Sequence, residues 1–151
     1  MNHNIRLAST DDIQQLLPLI KDFHTFEDIQ ISDEQRKQAI NDLLSDPSLG
    51  GIWLILADTT VAGYIALTFG YSIEFGGKDA FIDELYIRPE LQGLGLGKQT
   101  LIKIQQEAKA QTIQAMHLEV ARQNTKAQKL YAHANFLPRK KYMLMSVSLK
   151  S

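Results

Sequence analysis

Residues 88–98 read RPELQGLGLGK, with Gly93, Gly95 and Gly97 at alternate positions. The run joins an apolar segment, AFIDELYI (80–87), to a helical one, KQTLIKIQQEAKAQ (98–111). Glycine loses more conformational freedom on ordering than any other residue, so three at one junction need a reason. A strand passing through glycines into a helix supplies one. The first amides of a helix have no internal acceptor. They point outward along a dipole that favours an anion. Side chains at these positions would hold a phosphate away from the backbone. The plainer reading of the same glycines is a turn that starts a helix.

The rest of the chain bounds the choices. It has 151 residues, 44% of them hydrophobic, which suits one domain (1–151) around a single core. Charged residues make up 22% and the net charge is -1, so the basic footprint of a nucleic-acid binder is missing. With no cysteine, disulfides, cysteine nucleophiles and thiolate metal sites are excluded. His3, His24, His117 and His133 are scattered without the i, i+4 spacing of a helical zinc site, so no metal is expected. MNHNIRLASTDD lacks the basic-then-apolar pattern of a signal peptide, and no apolar run approaches the roughly 20 residues that span a bilayer. A cytoplasmic protein with no membrane partner is the expectation.

Periodicity orders the elements. Ile5 and Leu7 suggest a first strand, and Ser9 or Thr10 can cap a helix carrying Ile13, Leu16, Leu17 and Ile20, with Pro18 expected to kink it. Ser32 with Gln35 fits a capping box for a second helix reaching about Leu44. GIWLILAD, VAGYIALTFGY and AFIDELYI read as a meander of three strands. A helix striped by Leu94, Leu101, Ile104 and Ala108 follows the glycines. AMHLEVA predicts a fifth strand, Asn124 opens another helix, and KKYMLMSVSL predicts a closing strand. The antiparallel start and later alternation give a mixed α/β (α+β) sheet.

The glycine run fails the Walker pattern, because Gln99 follows Gly97-Lys98 and the first glycine is misplaced. It also fails GxGxxG, since positions 98 and 100 are lysine and threonine. What fits is Gln92-x-x-Gly95-x-Gly97, and this resembles the acetyl-coenzyme-A loop of the GNAT N-acetyltransferase family. RLASTDDIQQLLPLI resembles the family's opening strand and helix. Asn124, Ala127, Leu130, Tyr131 and Phe136 match its N-x-x-A-x-x-L-Y...F segment, with Asn135 where a glycine is common. The resemblance implies an acyl-CoA N-acyltransferase fold: a mostly antiparallel mixed sheet, flanked by helices, whose fourth and fifth strands splay. It implies acetyl-CoA as co-substrate and, in many relatives, a homodimer.

On that resemblance, the pyrophosphate meets the backbone of Gln92, Gly93, Leu94, Gly95, Leu96, Gly97 and Lys98. Lys98 adds charge or is a solvated helix lysine. Leu85, Tyr86 and Ile87 bond the pantetheine arm as an added strand would, or are plain core strand. Asn124 bonds the arm or caps its helix. The reaction is acetyl transfer to an amine. An alkylammonium of pKa near 10.4 is only about 0.04% neutral at pH 7, a deficit of about 4.6 kcal/mol, so a base is needed. Acidic residues suit strands poorly, yet FIDELYI holds two. Glu84 is the candidate base and Asp83 the runner-up; in an ideal strand they face opposite ways unless a bulge intervenes. Tyr131 matches the tyrosine that protonates the departing thiolate, and the alternative is packing. Phe26, Glu27, Asp28, Tyr71, Glu74 and Phe75, with Asp83, are candidate acceptor walls, and acids with aromatics suit a small cationic amine, polyamine-like or amino-sugar-like. A peptide amine acceptor, or a non-catalytic acyl-CoA-binding module, stays open.

Overall fold

The computed structural model describes residues 1–151. Five strands form one sheet in the order β1-β2-β3-β4-β5: β1 His3–Leu7, β2 Gly50–Ala57, β3 Thr60–Ser72, β4 Gly77–Ile87 and β5 Ala115–His117. The first four pair antiparallel and β5 joins β4 in parallel. Four helices cover the sheet: α1 Ile13–Phe26, α2 Asp33–Ser45, α3 Leu96–Ala110 and α4 Thr125–His133.

Alternation along β2 and β3 divides the core between two faces. Ile52, Leu54, Tyr64 and Ala66 pack with Leu16, Leu19, Ile20 and Ile40 of α1 and α2. Trp53, Ile65 and Leu67 pack with Leu101, Ile104 and Ala108 of α3. The period-two reading of the strands and the 3.6-residue reading of the helices therefore meet in one structure. The capping box on α2 forms as expected, with Ser32 Oγ accepting from the Gln35 amide at 3.1 Å. α1 runs through Pro18 as one 14-residue helix. Ser9 caps the short turn at Thr10–Asp12 that feeds it. Asn135 adopts φ +74, the left-handed conformation that lets asparagine replace glycine after α4.

Two expectations are corrected. The fifth strand covers Ala115–His117 rather than AMHLEVA, because beyond Phe81↔His117 the chain diverges from β4. KKYMLMSVSL forms no strand. Its alternation is real: Met143, Met145, Val147 and Leu149 fall at every second position. Alternation marks a face that could be buried, but a strand also needs a ladder partner. Arg139 instead holds the chain at the β3–β4 hairpin, donating to Glu74 Oε2 at 2.7 Å and lying 5.3 Å from the Phe75 ring. The residues beyond stay exposed, Val147 at 81% and Leu149 at 91%.

The Arg6–Asp12 pair ties β1 to the start of α1. Arg6 donates to both carboxylate oxygens at 3.0 and 2.9 Å, and the Ser9 amide and Gln15 add 2.9 and 2.8 Å bonds. The Arg6 bonds lead in holding the Asp12 carboxyl down at about 2. Asp12→Asn should cost about 1–2 kcal/mol at pH 7, less than the whole shift implies, because Arg6 is half open to water that screens the pair. A depressed carboxyl contributes above its unfolded pKa and loses that contribution as pH falls through the folded one. Urea unfolding should therefore show the gap between wild type and Asp12→Asn narrowing from pH 7 to pH 3; an equal gap at both would remove the pair from the acid response.

Candidate active site

The site begins with a one-residue irregularity in β4. Ala66 opposes Glu84, and Leu67 opposes Ile82, so Asp83 is the extra residue. Strand alternation would place consecutive side chains on opposite faces. A bulge breaks that alternation. Ile82 stays with the α3 core while both Asp83 and Glu84 line a cavity on the α1–α2 face. The cavity measures about 230 Å³, and its walls include Ile20, Ile40 and Ile52.

Glu84 is held from both sides. His24 Nε2 lies 2.6 Å from Oε2, and the Tyr64 hydroxyl donates to Oε1 at 2.7 Å. Arg36, only 6% exposed, donates from Nε to His24 Nδ1 at 3.0 Å. It also donates from Nη1 to Asp33 at 2.7 Å and from Nη2 to the Ile31 carbonyl at 3.3 Å. Burial pushes the Glu84 carboxyl up, and the His24 and Tyr64 bonds pull against that rise. Burial also raises Asp83, and no hydrogen bond opposes the rise. Asp83 keeps solvent-accessible surface because it lines an open cavity. Burial, then the Glu84 charge, keeps the Tyr64 phenol protonated as a donor.

A second feature adjoins the carboxylates. β4 and β5 share a ladder only over Asp79–Phe81 and Ala115–His117. From Ile82 to Ile87 the β4 edge facing away from β3 therefore pairs with no strand, and Leu85, Tyr86 and Ile87 lie on it. Past its end the chain makes a turn at Pro89–Leu91 and enters the glycine run. Gly93 (φ +78) and Gly95 (φ +83) take left-handed conformations that side chains resist. A Cβ on Gly93 would meet nothing within 4 Å, so the turn presents open backbone. The amides of residues 93–98 donate to no protein carbonyl. Gln92 turns inward, its Nε2 donating to the Ile87 carbonyl at 2.8 Å and bracing the turn. Gly97 has a different reason to be glycine: a Cβ there would sit 3.2 Å from Leu130 Cδ2, so it lets α4 approach α3.

The remaining expected residues separate into near and far. Tyr131 on α4 is largely enclosed, 6.1 Å from the Phe136 ring centroid; burial first, then the charge of Glu27, raises its phenol. Glu27 and Phe26, at the end of α1, are exposed on the cavity's side of the sheet. Asn124 Oδ1 accepts from the Ala127 amide at 3.1 Å, which is a helix cap. Lys98 lies on the outer face of α3 beside Ile102 and Lys103. Tyr71, Glu74 and Phe75 sit at the hairpin opposite Lys78. Lys78 stands six strand positions from Glu84, about 20 Å, so the structure does not bring these three to the carboxylates. His24, Arg36 and Tyr64 escaped the sequence reading. Their trace was present: His24 continues the buried Leu16–Ile20 stripe of α1, and Arg36 shares the buried face of α2 with Ile40.

These features match a known group. The family model for GNAT acetyltransferases aligns with residues 13–136. The chain belongs to the GNAT acetyltransferase family. Its fold resembles an integron cassette protein from the mobile metagenome of Cole Harbour Salt Marsh, 31% identical over 97% of this chain and 91% of that one, with a TM-score of 0.85. A predicted acetyltransferase from Clostridium acetobutylicum, solved with acetyl-CoA, is 20% identical over 96% of each chain, TM-score 0.77. An aminoglycoside acetyltransferase from an uncultured soil metagenome, in complex with sisomicin, is 14% identical over 98% of this chain and 97% of that one, TM-score 0.80. The curated proteins include no match. Within this GNAT chain no group of three His, Asp or Glu side chains could hold a metal, and no helix is long and apolar enough to cross a membrane.

Gly97 should respond to substitution through its packing against α4. Gly97→Val should lower stability by about 1–3 kcal/mol through crowding of Leu130. Gly97→Val in a Leu130→Ala background should recover part of that loss, read by thermal or urea unfolding. Equal losses in both backgrounds would sever the link between Gly97 and α4 packing.

Proposed function

We propose that the protein transfers the acetyl group of acetyl-CoA to the primary amine of a small cationic compound. One observation carries the reading: the bulge sets two carboxylates in a cavity beside an unpaired strand edge that leads to six unpaired amides. The amides of residues 93–98 suit a diphosphate, since each is a donor without a partner and the α3 dipole adds to them. The Leu85–Ile87 edge suits an amide-bearing arm, which would take the ladder bonds that β5 does not make. When bound, acetyl-CoA supplies an activated thioester.

Glu84 is assigned the base. A carboxylate offers about four lone-pair sites, and His24 and Tyr64 use two. The others remain for an ammonium or for water that relays its proton. A carboxyl raised by burial is better matched to a base working near neutrality. Asp83, without a hydrogen-bond partner, is assigned to hold the positive charge of the acceptor, and Glu27 with Phe26 flanks the approach. The apolar walls suit a methylene chain. A cavity of about 230 Å³ takes the end of a polyamine-like chain more readily than a whole amino sugar. Tyr131 is assigned the acid for the departing thiolate: its raised phenol keeps its proton until the thiolate forms. A homodimer in the cytoplasm is the expected setting.

The test is an acceptor panel with free thiol as the readout. Release with small polyamines or amino sugars supports the reading; transfer to peptide N-termini alone removes the small-amine assignment. CoA binding without thiol release from any amine points to a binding module. Glu84→Gln should keep acetyl-CoA affinity and lower kcat by about 10²–10⁴-fold. Gly95→Glu should weaken acetyl-CoA binding, and Tyr131→Phe should lower kcat. The pH profile carries a sign. Burial places the acid limb of kcat/KM above the ordinary glutamate value of 4.5, and the Asp83 charge raises it further. Asp83→Asn should therefore move that limb to lower pH; a limb moved to higher pH would count against Glu84 as the titrating base.

A further inference from the structure

The cavity holds two buried residues that the reaction as described does not use. Arg36 and His24 stand in series behind Glu84, one on α2 and one on α1. A guanidinium sheltered from water is costly unless its donors are satisfied. We infer that Arg36 and His24 are a positioning pair: Arg36 fixes which His24 nitrogen carries the proton, and His24 thereby holds the Glu84 carboxylate in place. The catalytic half of this inference rests on Glu84 being the base; the proton assignment does not.

The assignment follows from what each group can do. A guanidinium only donates. Arg36 Nε approaches His24 Nδ1 at 3.0 Å, so Nδ1 must present its lone pair. A proton on Nδ1 would set N–H against N–H. The imidazole proton therefore sits on Nε2, 2.6 Å from Glu84 Oε2, and donates to it. The opposite tautomer would also face a nitrogen lone pair toward a carboxylate oxygen. Both ends of the ring reject it.

The orientation of Arg36 is set outside the cavity. Asp33 and the Ile31 carbonyl hold its other nitrogens at 2.7 and 3.3 Å. These belong to the start of α2, where Ser32 and Gln35 form the capping box. Arg36 thus donates outward to the start of α2 and inward to His24, which donates to Oε2, while Tyr64 of β3 holds Oε1 at 2.7 Å. With both oxygens fixed, the free lone pairs of Glu84 face the cavity in one orientation. The segment between α1 and α2, which begins at Glu27, is fastened to the same arginine through the Ile31 carbonyl. Arg36 is therefore a positioning residue that acts through His24, with no contact to the acceptor required.

Two measurements test this. Nitrogen-15 spectra of the wild-type protein at pH 8 should show His24 with a protonated, pyrrole-type Nε2 and a lone-pair-type Nδ1; the reverse assignment overturns the pairing without reference to turnover. Arg36→Met should convert His24 to a tautomer mixture and lower kcat about 10- to 100-fold, with KM for acetyl-CoA changed less than twofold. In a His24→Gln background, where the glutamine amide can donate to Glu84, Arg36→Met should cost nothing more. A full additional loss there would show that Arg36 acts other than through His24, and an unchanged kcat for Arg36→Met alone would remove the positioning role. If Glu84→Gln leaves turnover intact, the base assignment fails, while the tautomer result stands or falls separately.

Discussion

The bulge at Asp83 is the constraint from which the candidate site is built. Strand geometry alternates side chains between the α1–α2 face and the α3–α4 face, and both faces here are packed with apolar residues. Without the extra residue, Glu84 would turn toward the α3 core, where neither His24 nor Tyr64 could reach it. A charged carboxylate there would carry the full penalty of burial. With the bulge, Ile82 keeps its place in that core and two consecutive acids open into one cavity. One local change in register thus satisfies the core and brings two acids into one cavity.

The separation of β4 from β5 belongs to the same economy of backbone bonds. An unpaired strand edge is normally covered or charged, because it invites pairing. Here the edge from Ile82 to Ile87 pairs with no strand, only its last carbonyl being taken by Gln92, and it ends at a turn whose amides are free. Two sets of unmet backbone donors and acceptors lie end to end, one extended and one curled into a helix start. A ligand with a diphosphate at one end and an amide-bearing arm satisfies both. The family match over residues 13–136 accords with that arrangement.

Local rules were readable where the signal is local. The strand period, the Ser32–Gln35 capping box and the left-handed tolerance of Asn135 all depend on neighbours within a few residues. The glycine junction was readable because Gly93 and Gly95 need positive φ. Gly97 looked the same in sequence and differs in cause, since its neighbour Leu130 is distant in the chain. The hairpin residues Tyr71, Glu74 and Phe75 had a suitable composition, but strand rise places them far from Glu84. KKYMLMSVSL had the right alternation, but no ladder partner stands beside it. The His24–Arg36 pair was hidden for a related reason. A polar residue on an apolar stripe shows that something is buried, not what it meets across 60 residues of chain.

The electrostatics of the cavity depend on opposing effects that burial alone would not deliver. Desolvation raises Glu84, and acting unopposed it would favour the protonated carboxyl. The donors from His24 and Tyr64 favour the ionised form and limit the rise. Asp83 lacks such donors and is raised by the same desolvation. Two adjacent acids in one cavity thus have different supports: one braced by a network crossing four elements, the other open to whatever cation enters. An arriving ammonium favours ionisation of both, since an opposite charge at close range offsets burial. A cation entering the cavity would thus favour the ionised form of both acids, and the bonds already made to Glu84 hold its carboxylate in place without rearrangement.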